Sequence, residues 1–310
     1  MKFLLALIIL IALFFICLLA LFRKVFYVDR KSTLNPGKIA DTKQHRMFRE
    51  KIEQMIEDTC ALPCEEVRVE SFDGLSLFGR LYLQSADAPF EILFHGYRDN
   101  AISDFCGGLK LALSLGHNVI LVDQRAHGRS EGKCLSFGIL ERKDVLSWLD
   151  FIRRNYGSDT PVFLMGISMG AATVLMASDL DITPNVRGII ADCGYSSPQA
   201  IIRKVAGDMK YPKSIVMPLI KLSAKIFGGF DLCEASAVDA LRNAKVPVLF
   251  IHSYDDSFVP YSMSIENYEA CISEKYLLSV PEADHGMSFL FDKAGYTKAV
   301  TDFVCRMMLQ

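Results

Sequence analysis

The chain predicts an α/β fold: a mostly parallel, eight-stranded sheet with helices on both faces, a helical lid, and a transmembrane helix at the N-terminus. Three observations carry this. Short apolar runs alternate with segments of helical periodicity from about residue 65 onward. One of those runs turns into a helix start through Gly166-Ile167-Ser168-Met169-Gly170. Residues 3–22 hold no charge. Hydrophobic residues make up 51% of the 310, enough for a large core, and no linker divides the body. The expected organisation is therefore a membrane anchor over 1–24, a juxtamembrane segment with a surface helix over 25–62, and one folded body over 63–310 with its lid at about 194–243. With 34 basic and 36 acidic residues the net charge is −2, so there is no basic field to hold nucleic acid.

The elements follow in order. As a helix, the uncharged N-terminal run spans about 30 Å, the thickness of a bilayer core. It reads as an anchor, because a cleaved signal peptide has a shorter apolar region and a small-x-small site that Leu18-Leu19-Ala20-Leu21-Phe22 does not offer. Arg23, Lys24, Arg30, Lys31 and Lys38 on the far side, against Lys2 on the near side, favour a cytoplasmic body. Asn35-Pro36-Gly37 breaks the chain, and Phe48, Ile52, Met55, Ile56 and Thr59 then mark the surface helix. Period-two alternation over Val67, Val69, Leu75 and Leu77 around Asp73-Gly74 predicts two strands joined by a tight turn. Strands are expected at 90–94, 118–122, 161–165, 186–191, 246–251 and 276–280. Helices are expected at 103–115, 139–156 and 295–308. The more than 50 residues between the strands ending at 191 and starting at 246 are too many for a loop and predict the lid.

Nine cysteines at irregular spacing, an odd number without CxxC, leave at least one unpaired and read as buried free thiols in a reducing compartment. Neither HExxH nor clustered Cys and His is present, so no metal and no cofactor is expected.

The chemistry centres on Ser168. An apolar strand that turns abruptly into a helix holds the serine in a strained conformation with its hydroxyl at the tip, and Gly166, Gly170, Ala171 and Ala172 give clearance for the close approach. A serine hydroxyl needs a base, itself held by a carboxylate. Of six histidines, His285 in Glu282-Ala283-Asp284-His285-Gly286 follows the last strand and has a strand-end acid between itself and the serine, whereas the acids near His252 come after it. Asp255 and Asp256 lie beyond the strand 246–251; Asp256 is the expected acid and Asp192 the runner-up. The oxyanion of a tetrahedral intermediate needs two backbone N–H donors, expected from Met169 at the helix start and Tyr97 after His95-Gly96. His95 is expected to buttress that loop, and the segment 123–130 to shape the wall of the site.

Taken together, Leu93-Phe94-His95-Gly96-Tyr97, Asp123-Gln124-Arg125-Ala126-His127-Gly128-Arg129-Ser130, residues 166–170, the Asp256 loop with Val259-Pro260, and Asp284-His285-Gly286 resemble the α/β-hydrolase superfamily over about 65–308. Within it the chain is similar to the serine-aminopeptidase-like group of esterases, monoacylglycerol lipases and membrane-anchored bacterial hydrolases. The resemblance implies a triad at Ser168, Asp256 and His285. Ser253 departs from the glycine that the group commonly carries there.

The expected activity is carboxyl-ester hydrolysis on a small-molecule acyl substrate through an acyl-enzyme on Ser168, with association to the membrane through the N-terminal helix. The lid interleaves apolar residues such as Ile201, Ile202, Val205, Val216 and Ile220 with lysines, which fits a lipophilic ester; alternatively these residues only pack the lid onto the body. A peptidase or acyltransferase would use the same triad, and a tethered binding protein without turnover is the reading from another class.

Overall fold

A computed structural model of the chain describes residues 1–36, 39–182 and 184–309; Gly37 and Lys38, which entered the turn and charge readings, lie outside the described residues. Eight strands form one sheet: β1 (Glu65–Glu70), β2 (Ser76–Tyr82), β3 (Phe90–Phe94), β4 (Asn118–Asp123), β5 (Val162–Ile167), β6 (Val186–Asp192), β7 (Val248–Ser253) and β8 (Lys275–Val280). Their order is β1-β2-β4-β3-β5-β6-β7-β8. β2 runs antiparallel to both β1 and β4, and every later pairing is parallel. The β1–β2 hairpin turns at Gly74, where φ is +82°, a conformation that costs glycine little.

Strand periodicity divides the core. All five residues of β3 are buried; Phe90, Ile92 and Phe94 enter one apolar layer while Leu93 enters the other. Each such fully buried side chain contributes about 1.5–3 kcal/mol. Glu91 shares Leu93's neighbourhood only because His117 Nδ1 stands 3.2 Å from its carboxyl. The helix Glu141–Tyr156 buries Val145, Trp148, Leu149 and Ile152, spaced for one face, and Trp148 lies where a Cβ on Gly79 of β2 would come within 2.7 Å of its ring.

The structure departs from the sequence reading in two respects, the helix over 103–115 and the cysteines. The single helix expected over 103–115 is two, Ala101–Phe105 and Gly108–Ser114. The break falls at Gly107, whose missing Cβ leaves room for the Phe289 ring: a Cβ there would stand 2.3 Å from it. The surface helix read from Phe48 to Thr59 is Arg49–Cys60, with Phe48 at its N-cap, and a short helix Lys43–Met47 precedes it. The nine cysteines are all unpaired, but only Cys106, Cys193 and Cys271 are buried, and Cys17, Cys60, Cys64, Cys233 and Cys305 are exposed. Cys17 and Cys305 sit on outward faces of their helices, which corrects the expectation of buried thiols.

Between β6 and β7 the segment 194–243 is largely helical, with Pro198–Asp208, Lys213–Ser223, a π-helical turn Ala224–Gly228 and Ala237–Leu241. Ser197 starts the first of these by accepting a hydrogen bond from Ala200 N–H, with Pro198 at the first helical position. The N-terminal helix, Lys2–Val25, is long and apolar enough to cross a membrane. Its residues 2–17 are exposed, while Leu18, Phe22 and, just past its end, Phe26 are buried.

Candidate active site

Ser168 stands between the end of β5 and the helix Met169–Met176. Its backbone has φ +55° and ψ −114°, a conformation that costs a non-glycine residue roughly 1–3 kcal/mol. Close packing enforces it. A Cβ on Gly166 would lie 2.2 Å from the Gly170 carbonyl, and one on Gly170 only 1.8 Å from the Phe94 oxygen of β3. The helix therefore presses directly on the strand, and the chain has room to turn only at Ser168. Its N–H donates to the Asp192 carbonyl at 2.8 Å, tying the turn to β6.

Three side chains converge at the carboxyl edge of the sheet. Ser168 Oγ is 2.8 Å from His285 Nε2, and His285 Nδ1 is 2.7 Å from Asp256 Oδ2. A carboxylate only accepts, so Nδ1 carries the proton and Nε2 offers its lone pair to the serine hydroxyl. Asp256 is the more constrained partner: Phe258 N–H and Val259 N–H donate to Oδ1 at 2.9 and 2.8 Å, and His252 Nε2 donates to Oδ2 at 3.0 Å. Burial by itself pushes this carboxyl up, but the hydrogen bonds from His252 and His285 outweigh it and hold the group well below the usual carboxylate range. The loop bearing His285 is fixed by Asp284, whose Oδ1 accepts from the N–H groups of His285 and Ser257 and from the Ser257 hydroxyl. Burial raises the Asp284 carboxyl and those donors lower it further, leaving it below its ordinary value.

The other weighed acids lie elsewhere. Asp255 accepts from Glu282 N–H and braces the same loop. Asp192 is buried beneath the site, pushed up to about 6 by burial, with the Ser288 hydroxyl 3.5 Å from Oδ1. Cys193 approaches Asp256 and His285, their ligating atoms all within 4.8 Å. Burial drives the Cys193 thiol well above its usual value, against the thiolate that a metal requires, and both Asp256 oxygens already accept hydrogen bonds.

The loop after β3 lies against the serine, where a Cβ on Gly96 would stand 3.5 Å from that of Ser168. Gly96 N–H donates to Asp104 at 2.6 Å, and burial raises that carboxyl well above its ordinary range. His95 is fully buried; Nδ1 donates to the Gly96 carbonyl at 2.8 Å and Nε2 accepts from Gln124 N–H at 3.0 Å, so the ring links the loop to the end of β4. Burial lowers it to about 4, which keeps it neutral. His127 accepts from Arg98 N–H at 3.1 Å, and Arg125 of the same segment is clamped by Asp144 at 2.6 and 2.7 Å. Tyr97 thus follows Gly96 on one side of Ser168, and Met169 follows it on the other.

Two residues escaped the sequence reading. His252 holds Asp256 from behind, its Nε2 also reaching the Val259 carbonyl at 3.0 Å, while Ser264 Oγ engages Nδ1. Asp104 anchors the loop through Gly96. The i, i+4 spacing of His252 and Asp256 hinted at the first; nothing local marked the second.

Two cavities meet at Ser168, sharing Tyr97, Ser168 and Phe258. One, about 400 Å³, is apolar and lined by lid residues such as Ile202, Val205 and Ile220. The other, about 250 Å³, carries His45, Asp99, Asp104 and Asp192 among apolar neighbours.

The family described as alpha/beta hydrolase fold matches residues 92–213. The chain is 27% identical over 285 residues to the uncharacterized protein YqkD of Bacillus subtilis, covering 91% of this chain and 90% of that one. It is 33% identical over 133 residues to the thiohydrolase aneE of Aspergillus aculeatus, 41% of each chain. Among solved structures it is similar to the Pyrococcus furiosus esterase Pf2001, with a TM-score of 0.64 at 19% identity over 88% of this chain and 98% of that one. With the sheet order, the strained turn at Ser168 and these likenesses together, the chain is an α/β-hydrolase-fold protein.

Proposed function

We propose that the protein is a membrane-anchored serine hydrolase that cleaves carboxyl esters with apolar acyl chains through an acyl-enzyme on Ser168. The observation that carries this reading is the continuous relay from Asp256 through His285 to Ser168, at 2.7 and 2.8 Å, at the junction of two cavities. In the first step Ser168 Oγ attacks the acyl carbon while its proton passes to His285 Nε2; Asp256 orients the ring and stabilises its charged form. The amides of Tyr97 and Met169 receive the oxyanion. His285 then protonates the leaving alcohol, and water activated by the same nitrogen releases the acid.

The division of the cavities supports the choice of substrate. A volume of about 400 Å³ lies within the range of small-molecule sites, and its apolar lining suits the acyl chain, leaving the smaller, carboxyl-bearing cavity for the alcohol. The names of the relatives, an esterase and a thiohydrolase, denote acyl transfer to water from oxygen or sulfur, which the same relay performs. The anchor reading is supported by the burial of Leu18 and Phe22, since cleavage after this helix would strip these side chains from the folded body. Arg23, Lys24, Arg30 and Lys31 beyond it favour a cytoplasmic body.

The test is steady-state hydrolysis of p-nitrophenyl esters from acetate to palmitate by full-length protein in detergent, with water, alcohol and amine acceptors compared by product analysis. The reading requires kcat/KM to rise from acetate to longer chains, water to be the preferred acceptor, and Ser168→Ala to abolish turnover. Preference for acetate would remove the lipophilic substrate, and predominant transfer to an amine or alcohol would remove the hydrolase.

A further inference from the structure

The apolar cavity at Ser168 is not enclosed by the lid alone. Leu21 and Val25, half-buried in the last turns of the N-terminal helix, form part of its wall together with Ile202 and Val205. That end of the helix is docked firmly. Leu18 is fully buried, Phe22 packs on Phe227 of the lid at 5.8 Å between ring centroids, and Phe26 meets Phe230 edge-on at 5.3 Å. The same end is joined to the loop beside Ser168. The Tyr97 hydroxyl donates to the Val25 carbonyl at 3.0 Å, and Arg98 Nη2 donates to the carbonyls of Lys24 and Tyr27 at 3.0 and 2.6 Å. These carbonyls lie at or just past the helix C-terminus, where backbone acceptors are unsatisfied and the helix dipole is negative, so a guanidinium is well matched to them. Arg98 itself sits at φ +52°, a backbone conformation held by its N–H bond to His127.

We propose that the C-terminal turns of the N-terminal helix are a working part of the active site: Leu21 and Val25 set the length of acyl chain the cavity accepts, and Arg98 is a positioning residue that fixes the Tyr97 amide by clamping the loop to the helix. The inference rests on the ester-hydrolase reading above for its kinetic arm. The helix thereby does two jobs, tethering the body and completing the site, and the cavity wall it supplies lies at the C-terminal end of its uncharged span, so an acyl chain leaving a bilayer along the helix would meet the pocket first.

The experiment uses full-length protein in detergent micelles, with each variant's thermal unfolding recorded. Binding of a fluorescent polyene C18 fatty acid is measured in the Ser168→Ala background, and hydrolysis of acetate and dodecanoate esters in the wild-type background. Leu21→Trp fills the wall and is expected to weaken fatty-acid binding about tenfold and to lower the dodecanoate-to-acetate ratio of kcat/KM by a similar factor. Leu21→Ala, which enlarges the wall and covers the case in which the tryptophan prevents folding, shifts the preference to longer chains. Arg98→Ala lowers kcat about tenfold or more at every chain length with KM changed far less, because a displaced oxyanion donor acts in the transition state, and Arg98→Lys recovers part of the loss. Unchanged fatty-acid binding in both Leu21 variants overturns the wall, and an Arg98→Ala effect confined to KM overturns the positioning role. If the wild type hydrolyses no ester, the hydrolase reading fails and the positioning role with it, while fatty-acid binding still decides the wall.

Discussion

Replacing Gly170 by alanine tests the packing that creates the turn at Ser168. The added methyl would stand 1.8 Å from the Phe94 oxygen, 2.5 Å from its carbonyl carbon and 2.8 Å from the His95 oxygen, all backbone atoms of β3 and the loop after it. Ordinary carbon contacts need about 3.5 Å, so the helix Met169–Met176 and β3 must separate by roughly 1.5 Å. Every residue of that helix is buried, so its neighbours resist the shift. Forced separation of this kind sits at the upper end of overpacking costs, about 3 kcal/mol, which for a body of this size lowers the melting temperature by roughly 6–12 °C. The same shift stretches the 2.8 Å contact between Ser168 Oγ and His285 Nε2 beyond hydrogen-bond reach, and a misplacement of about 1 Å already costs on the order of 100-fold in rate. Thermal unfolding in detergent and the rate of fluorophosphonate labelling measure the two effects separately. A Gly170→Ala protein that melts within about 2 °C of wild type and labels at the wild-type rate would refute the packing argument.

Two further outcomes are expected. Asp256→Asn keeps acceptors for the two amides but removes the charge that orients His285, and should lower kcat by about 1,000- to 10,000-fold with little change in melting temperature; an effect under tenfold in stopped-assay kinetics would count against its role. Asp192, buried and raised to about 6 from 3.8, favours its protonated form in the folded state, so its contribution to stability is full below pH 3.8 and is lost as pH rises through 6. Asp192→Asn should therefore gain stability relative to wild type as pH rises from about 3 to about 8, by up to roughly 3 kcal/mol, and parallel denaturation curves across that range would contradict the assignment.

What could be read from the sequence was whatever is encoded locally. The turn at Ser168 is visible because glycine, serine and glycine must stand next to one another between an apolar strand and a small-residue helix, and the parallel strands are visible because burial on both faces removes polar residues from runs such as Phe90–Phe94. Features made by distant partners were not legible. Gly107 reads as a tolerated glycine in a helix until Phe289, far along the chain, fills the space beside it. His252 reads as an ordinary strand-end histidine, and only the packing of the helix Tyr261–Ala270 brings Ser264 to its other nitrogen and leaves Nε2 for Asp256. Likewise, hydropathy marks residues 3–22 as a membrane span but carries no sign that Phe22 would dock on a lid two hundred residues away.

The most direct measurement is peptide mass spectrometry of the full-length protein after reaction with a fluorophosphonate. The account predicts a single phosphonyl adduct on Ser168, absent from Ser168→Ala and strongly slowed in His285→Ala. An adduct that persists in Ser168→Ala, or one that maps to another residue, would contradict it.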